Sequence, residues 1–503
     1  MWVAVLLVVA LLAGSGSSTA ATMNDVLTYG VGVDATTLDP QMVDNIPTAN
    51  VVMHIHESLV EWDKGFKQIQ PSLAESWATS ADGKEWTFAL RKGVKFQDGA
   101  SLDARAVKAT FDRILDPKTA SPRRSVYSMI TRIDVVDDTH VKLVTDRPFG
   151  PMLPVLATYN IAIMSPKAIQ ESGKDYAKKP MGTGPYKFAS WTPGDKLVLE
   201  RNDAYWGPKP TLRQIVFKVI PEDTTRVMAL TRGDVDIISN VSPVMVEHLK
   251  QDKNIVMTIA PSFRTIYIGM NFKMKPLDNV KVRQAINYAI NREAIAKGLL
   301  RGLVDVAVGP EAPWIPGSTD KLTSYPYDPA KAKQLLAEAG FPKGFSTTLY
   351  SPVGRYMMDK QVAEAVQSQL AQVGIKAEYK TVDWSILTDL LKKGQEDGLY
   401  LLGKGSPSAD LDLTGMITFK AGGSNNYMFV DSPEIDKLLD AQRGEVNTEK
   451  RHAILRQYLE AVQQLAPWAS LHYEKQLIAA RSNVQGLRVV PNEFIDLRYV
   501  TKQ

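Results

Sequence analysis

Apolar residues in the first two hundred positions recur mostly at every second place, the spacing that lines one face of a strand. A strand is predicted over 26–33. Within 71–100, Trp86, Phe88 and Leu90 alternate after the turn Ser80-Ala81-Asp82-Gly83. A further hairpin is expected over 133–145, turning at Asp137-Asp138. Helical spacing enters over 101–115, where Ala104, Val107, Phe111 and Ile114 fall on one face. The stretch 180–207 predicts a tight turn followed by two strands. Gly182 and Gly184 free the backbone for conformations a Cβ would forbid, and Pro185 fixes φ beside them. Tyr186, Phe188 and Trp191 lead into the turn Thr192-Pro193-Gly194-Asp195, and Leu197 and Leu199 alternate on the return. Together these segments predict a mostly antiparallel unit ending near Trp206.

From Arg213 onward strands and helices alternate. Strands are expected over 215–220, 235–237 and 265–271, with a helix over 223–232 closed by Gly233. The helix predicted over 280–292 carries Val282, Ile286, Ala289 and Ile290 on one face. Asp328 caps the next helix, Pro329 takes its first turn, and Leu335, Leu336 and Ala339 face inward before Gly340. A β–α–β unit over 346–350, 359–373 and 375–382 implies a parallel pair joined by a right-handed crossover. A last helix over 449–465 returns as a strand over 468–473. This order predicts an α/β chain of two lobes with an antiparallel insert.

Several of these segments carry wording that periodicity does not require. Gly182 to Tyr186 reads GTGPY, and Trp191, Arg201-Asn202 and Tyr205-Trp206-Gly207 follow it. Upstream stand Leu38-Asp39-Pro40, the run PSLAESW from Pro71 to Trp77, Asp82-Gly83 and Trp86-Thr87-Phe88. The segment Leu90 to Gly99 continues them, with Gln97 where His is commoner. Downstream come Ala229-Leu230, Gly233 to Ile237, Val282 to Ile286, and Tyr327-Asp328-Pro329 through Gly340. In this order, from about residue 28 to about 475, the chain resembles the extracellular solute-binding proteins of ABC importers, the peptide-, opine- and nickel-type family. The resemblance implies a two-lobed periplasmic-binding-protein fold with an additional mostly antiparallel subdomain in the first lobe. Expected bounds are a signal peptide over 1–21, a first lobe over 22–265 plus 480–503 with its subdomain at about 45–185, and a second lobe over 266–479. It also implies a peptide-like or other polar small solute held between the lobes, and ABC permease transmembrane subunits as partners.

Composition narrows the chemistry further. At 503 residues the chain is too long for one core. A net charge of +4, with 59 basic residues scattered among 55 acidic ones, argues against a nucleic-acid partner, and a monomer is expected. The absence of cysteine removes disulfides, thiol catalysis, cysteine-ligated metals and the cysteine that anchors some relatives to lipid. Residues 3–13 are apolar and 14–21 are small; about 20 apolar residues are needed to span a bilayer. A cleaved signal peptide and a soluble periplasmic protein are therefore expected, although no positive charge precedes the apolar run. The string Gly30-Val31-Gly32-Val33-Asp34-Ala35 resembles a dinucleotide fingerprint, but Thr36-Thr37-Leu38-Asp39-Pro40 follows as a loop where a helix is required. His56-Glu57-Ser58-Leu59-Val60 begins like a zinc-protease helix and lacks the second histidine; His54 and His56 suit a strand face. With no catalytic constellation, no metal and no cofactor expected, the chain reads as a binder and not an enzyme. The alternatives are a secreted hydrolase with a dispersed site and a periplasmic haem or peptide chaperone.

Candidate ligand-binding residues lie on loops at the inner ends of strands: Thr37, Asn45, Arg264, Arg355, Trp384, Lys404, Asn426 and Tyr427. An enclosed polar ligand needs a fixed partner for each charge. Peptide-binding relatives carry an aromatic residue and then an Asp in the loop matching about 403–412, the Asp pairing with the peptide ammonium. Here Lys404 and Pro407 take those places, unless a shift in alignment restores Asp410. A lysine repels an ammonium, so the ligand is expected to carry an anionic group read by Lys404, or by Arg264 and Arg355.

Overall fold

Most of the predicted strands pair into one mixed sheet that is shared by both lobes. The computed structural model describes residues 25–63 and 65–503; the predicted signal segment lies outside them. Strands used below are β1 (Val26–Val31), β2 (Ala74–Thr79), β3 (Glu85–Leu90), β4 (Ile130–Val135), β5 (His140–Thr145), β6 (Tyr186–Thr192), β7 (Lys196–Arg201), β8 (Gln214–Val219) and β9 (Ile237–Ile238). They continue with β10 (Ile255–Met270), β11 (Val304–Val306), β12 (Phe345–Ser351), β13 (Ile375–Thr381), β14 (Gly398–Lys404) and β15 (Trp468–Arg481).

The large sheet has the order β13-β12-β14-β10-β15-β9-β1-β8-β7-β6, with β11 against β15. Each end has a parallel centre: β1 pairs in parallel with β8 and β9, and β12 with β13 and β14. Between them the long strands β10 and β15 run antiparallel to each other and reach into both halves. Their register shifts between Pro261 and Thr265 and again at Ile266–Tyr267, bulges that bend the shared ribbon. The two halves of this sheet, covered by helices, are the two lobes.

A separate antiparallel sheet, β2-β3-β5-β4, packs Phe88, Leu90, Val141 and Leu143 against the helix Ala104–Leu115. That helix begins where the Asp103 side chain accepts the amide N–H of Ala106. Phe88 and Phe111 are fully buried, each contributing about 1.5–3 kcal/mol relative to exposure.

Several expectations need correction. The β6–β7 hairpin forms as predicted, but β7 pairs with β8, so the hairpin belongs to the large sheet and not to the antiparallel insert. Gly182 and Gly184 have no left-handed φ. They are glycines because a Cβ there would strike the carbonyl oxygens of Ile55 and His54, at 2.1 and 2.6 Å. His54 and His56 end the helix Ile46–Ile55 and do not lie on a strand. Burial holds their pKa values down to about 4 and 3, and His54 is fixed between the Asn50 carbonyl and the Leu497 amide. The strand foreseen at 265–271 is the second half of the 16-residue β10, and the helix foreseen at 280–292 ends at Ala289. No helix opens directly after β1, as the rejection of a nucleotide fingerprint requires.

Candidate functional site

Loops leaving β1 and β8 in the first lobe face loops leaving β12 and β14 in the second. Two adjoining cavities lie between them, about 640 and 700 Å³ including their open mouths, and both are lined by Ile46, Arg264 and Arg355. The second also reaches Asn45, Arg123, Tyr159, Trp384 and Lys404.

Arg264 and Arg355, alike in the sequence, have different surroundings. Arg264 lies on β10, where its Nη1 donates to Glu474 Oε2 at 2.9 Å and its Nη2 pairs with Glu493. The second oxygen of Glu474 accepts the Met357 amide at 3.0 Å. Two carboxylates therefore neutralise Arg264 already. Arg355 follows β12, and its guanidinium carbon lies 4.7 Å from the Tyr356 ring and 5.2 Å from that of Trp384. It is 6 % exposed, its Nε has no hydrogen-bond partner, and it forms no ion pair among the described residues. Burial, with neighbouring Arg264, pushes its pKa down to about 10, so it remains a cation at neutral pH. Its backbone is held firmly: the amide donates to Asp359 Oδ2 at 3.0 Å and the carbonyl accepts from Asn240 Nδ2 at 3.1 Å. Asp359 is itself buried, which raises its carboxyl to about 6 despite the backbone N–H groups it accepts. A rigidly mounted, desolvated and unpaired guanidinium is a ready partner for a carboxylate or phosphate.

The other expected residues divide. Asn45 lines the second cavity while capping the helix Ile46–Ile55, its Oδ1 accepting the Thr48 amide at 3.0 Å. Trp384 presents a buried indole N–H with no partner. Tyr427 lines the same cavity. Lys404, half-buried at the end of β14, is pushed down to about 7 by burial, against the pull of Glu311. Glu311 is wholly buried, its carboxyl is raised, and neither of its oxygens has a hydrogen-bond partner. Thr37 lines neither cavity; its hydroxyl accepts the Asp39 amide at 3.2 Å. Asn426 has its amide engaged within its own loop, donating to Lys420 and Val430 carbonyls and accepting the Val430 amide. Its neighbour Asn425 reaches the cavity instead. Asp410 is no substitute ammonium anchor, because both oxygens bind Arg451, at 2.6 and 2.8 Å.

Sequence reasoning missed Arg123. This 2 % exposed residue comes from the loop before the short helix Arg124–Tyr127 and donates across the cleft to Ser424 and Asn425, at 3.1 and 3.0 Å. It also missed the ion pair of Lys392, on the helix Trp384–Lys393, with Asp44, at 2.6 Å. The only signal for Arg123 was a pair of arginines in a polar loop, which most often faces solvent.

No group of three or more potential metal ligands clusters among the described residues, and no helix among them is long and apolar enough to cross a membrane. Residues 68–426 match the bacterial extracellular solute-binding proteins, family 5. The glutathione-binding protein GsiB of Escherichia coli K12 is 34% identical over 471 residues, covering 92% of this chain and 91% of that protein. The periplasmic binding protein DppA of Helicobacter pylori, solved with the peptide STSA, has a TM-score of 0.88 at 28% identity, covering 95% of this chain and 98% of its own. AgaA of Agrobacterium tumefaciens R10, solved with agropinic acid, gives 0.87 at 29%, covering 95% and 99%. A two-lobed α/β fold, a polar cleft between the lobes and a match along most of the chain agree, and the protein belongs to the family 5 bacterial extracellular solute-binding proteins.

Proposed function

We propose that this protein captures a small, peptide-like solute carrying at least one carboxylate and presents it to the transmembrane subunits of an ABC importer. The observation that carries the reading is Arg355, a buried guanidinium with no ion pair among the described residues, in a cavity bounded by both lobes. Lys404 and Arg123 add positive charge on the second-lobe and insert sides of that cavity. Relatives named for glutathione, a peptide and agropinic acid fall within this chemical range. The lobes exchange chain at about residues 265 and 480, and the two strands that cross there shift register at 261–267 on β10 and 470–475 on β15, so closure is a hinge of that ribbon. The protein acts as a periplasmic monomer, after loss of a signal peptide over 1–21, with no cofactor, no nucleic acid and no turnover.

Native mass spectrometry of the purified protein identifies what it carries, and calorimetry then measures glutathione and a panel of dipeptides. Stoichiometric binding that weakens by about 2–5 kcal/mol in Arg355→Ala is expected, with no loss of thermal stability, since a desolvated cation is removed. Steady release of cleaved peptide would establish the secreted-hydrolase alternative, and a titratable haem spectrum the haem-carrier one.

A further inference from the structure

The glycine string rejected as a nucleotide fingerprint has another use. Gly32 follows β1 in the first lobe and Gly354 follows β12 in the second, and the structure brings them together. A Cβ on Gly32 would fall 2.0 Å from the Gly354 carbonyl oxygen and 3.0 Å from its carbonyl carbon. A Cβ on Gly354 would fall 2.4 Å from the carbonyl oxygen of Pro221, which follows β8, and 3.2 Å from that of Gly32. No side chain can stand at such distances from backbone, so the lobes meet here main chain to main chain.

The two glycines are required for different reasons. Gly354 has φ +73°, a left-handed conformation that already favours glycine. Gly32 has no such φ. Within its own lobe the nearest atom to a Cβ would be Arg226 Nη1, at 3.2 Å, the far end of a flexible side chain. Gly32 therefore lacks a side chain for the sake of the opposite lobe alone. The contact is also wired to the ligand cavity. Arg226 Nη1 donates to the Ile220 and Pro221 carbonyls at 2.7 and 2.6 Å, and its Nη2 donates to the Asn240 carbonyl at 3.3 Å. The Asn240 amide in turn donates across the cleft to the carbonyl of Arg355, the residue beside Gly354. Gly32, Asn240, Gly354 and Arg355 all line the first cavity.

We infer that Gly32 and Gly354 form a backbone latch between the lobes, and that closing it positions Arg355 against the solute. Gly32 is thus a positioning residue: it carries no side chain to grip a solute, yet the closed cleft depends on its missing Cβ. The role assigned to Arg355 rests on the function proposed above; the latch itself does not.

The test exploits the absence of cysteine from the chain. Asp44→Cys and Lys392→Cys replace an ion pair that bridges the cleft, and a short bismaleimide then joins the two thiols whenever the lobes close. The cross-linking rate is compared in this background alone, with Gly32→Ala, and with Gly298→Ala, whose added Cβ meets nothing within 4 Å. The expected result is a rate about tenfold or more lower for Gly32→Ala, with its melting temperature and the Gly298→Ala rate unchanged. Cross-linking of Gly32→Ala at the parent rate overturns the latch. So does a fall matched by Gly298→Ala or by a loss of stability, or a parent that does not cross-link. Because trapping needs no bound solute, failure of the peptide-solute reading leaves this outcome legible, and failure of the latch leaves calorimetry with glutathione to judge that reading.

Discussion

Replacing Arg264 by alanine should damage the fold before it damages binding. The guanidinium stands between Glu474 and Glu493, and the three side chains are only 5 %, 4 % and 9 % exposed. At the 2.9 Å separation from Glu474 and an effective dielectric constant of about 20, the Coulomb attraction is about 6 kcal/mol before desolvation is charged against it. Removing the cation leaves two buried carboxylates facing one another, for which about 3–5 kcal/mol of net loss is typical. At about 2–4 °C per kcal/mol for a lobe of this size, the melting temperature should fall by about 6–20 °C. Melting curves followed by circular dichroism at pH 8 measure the effect. A variant that melts within about 2 °C of the parent would refute the neutralised-triad account.

Three further outcomes follow from other buried charges. Asp410→Ala should lower the melting temperature, by stranding Arg451, yet leave dipeptide affinity within about twofold; a selective loss of affinity would return Asp410 to the ligand site. Affinity for a carboxylate-bearing peptide should fall as pH rises from 6 to 8, because burial lowers the pKa of Lys404 to about 7 and the lysine gives up its charge across that window. Calorimetry on Lys404→Met should give a flatter profile, and an equally steep one counts against Lys404. Glu396 is buried with one oxygen unpartnered and its carboxyl raised to about 7, so its charged form penalises folding above that pH and the penalty is relieved below it. The melting temperature of Glu396→Gln relative to the parent should rise from pH 5 to pH 8; a constant difference speaks against the shift.

Elements with one buried face were legible in the sequence. The β6–β7 hairpin and the β12–helix–β13 unit show the period of 2 or 3.6 that a half-exposed element must show. The helix Leu411–Thr418 was missed because all eight of its residues are buried, which erases the polar stripe. The first half of β10 was missed because Pro261 interrupts it at a bulge, where a strand tolerates proline. Among site residues, position was easier to read than partnership. Arg264 and Arg355 are both arginines beside strands, and only folding reveals that one meets a glutamate 210 positions away while the other meets aromatic rings. Asn426 and Thr37 have the right chemistry at loop ends, but local backbone groups claim them first, a competition short polar side chains commonly enter.

The ribbon of β10 and β15 also governs the order in which this molecule can be completed. β15 is the last strand of the large sheet to be made, and it pairs with β9 of the first lobe on one side and with β10, along the length that both lobes share, on the other. An emerging chain can assemble β6 to β9 around β1, and later β12 to β14, yet each assembly keeps an open edge facing the other. Neither lobe owns a finished sheet until about residue 481 is delivered, when a single strand closes both edges together. Completing the large sheet is therefore a coupled event: its last strand to arrive turns two incomplete halves into one body and, in the same pairing, installs the bend on which they move.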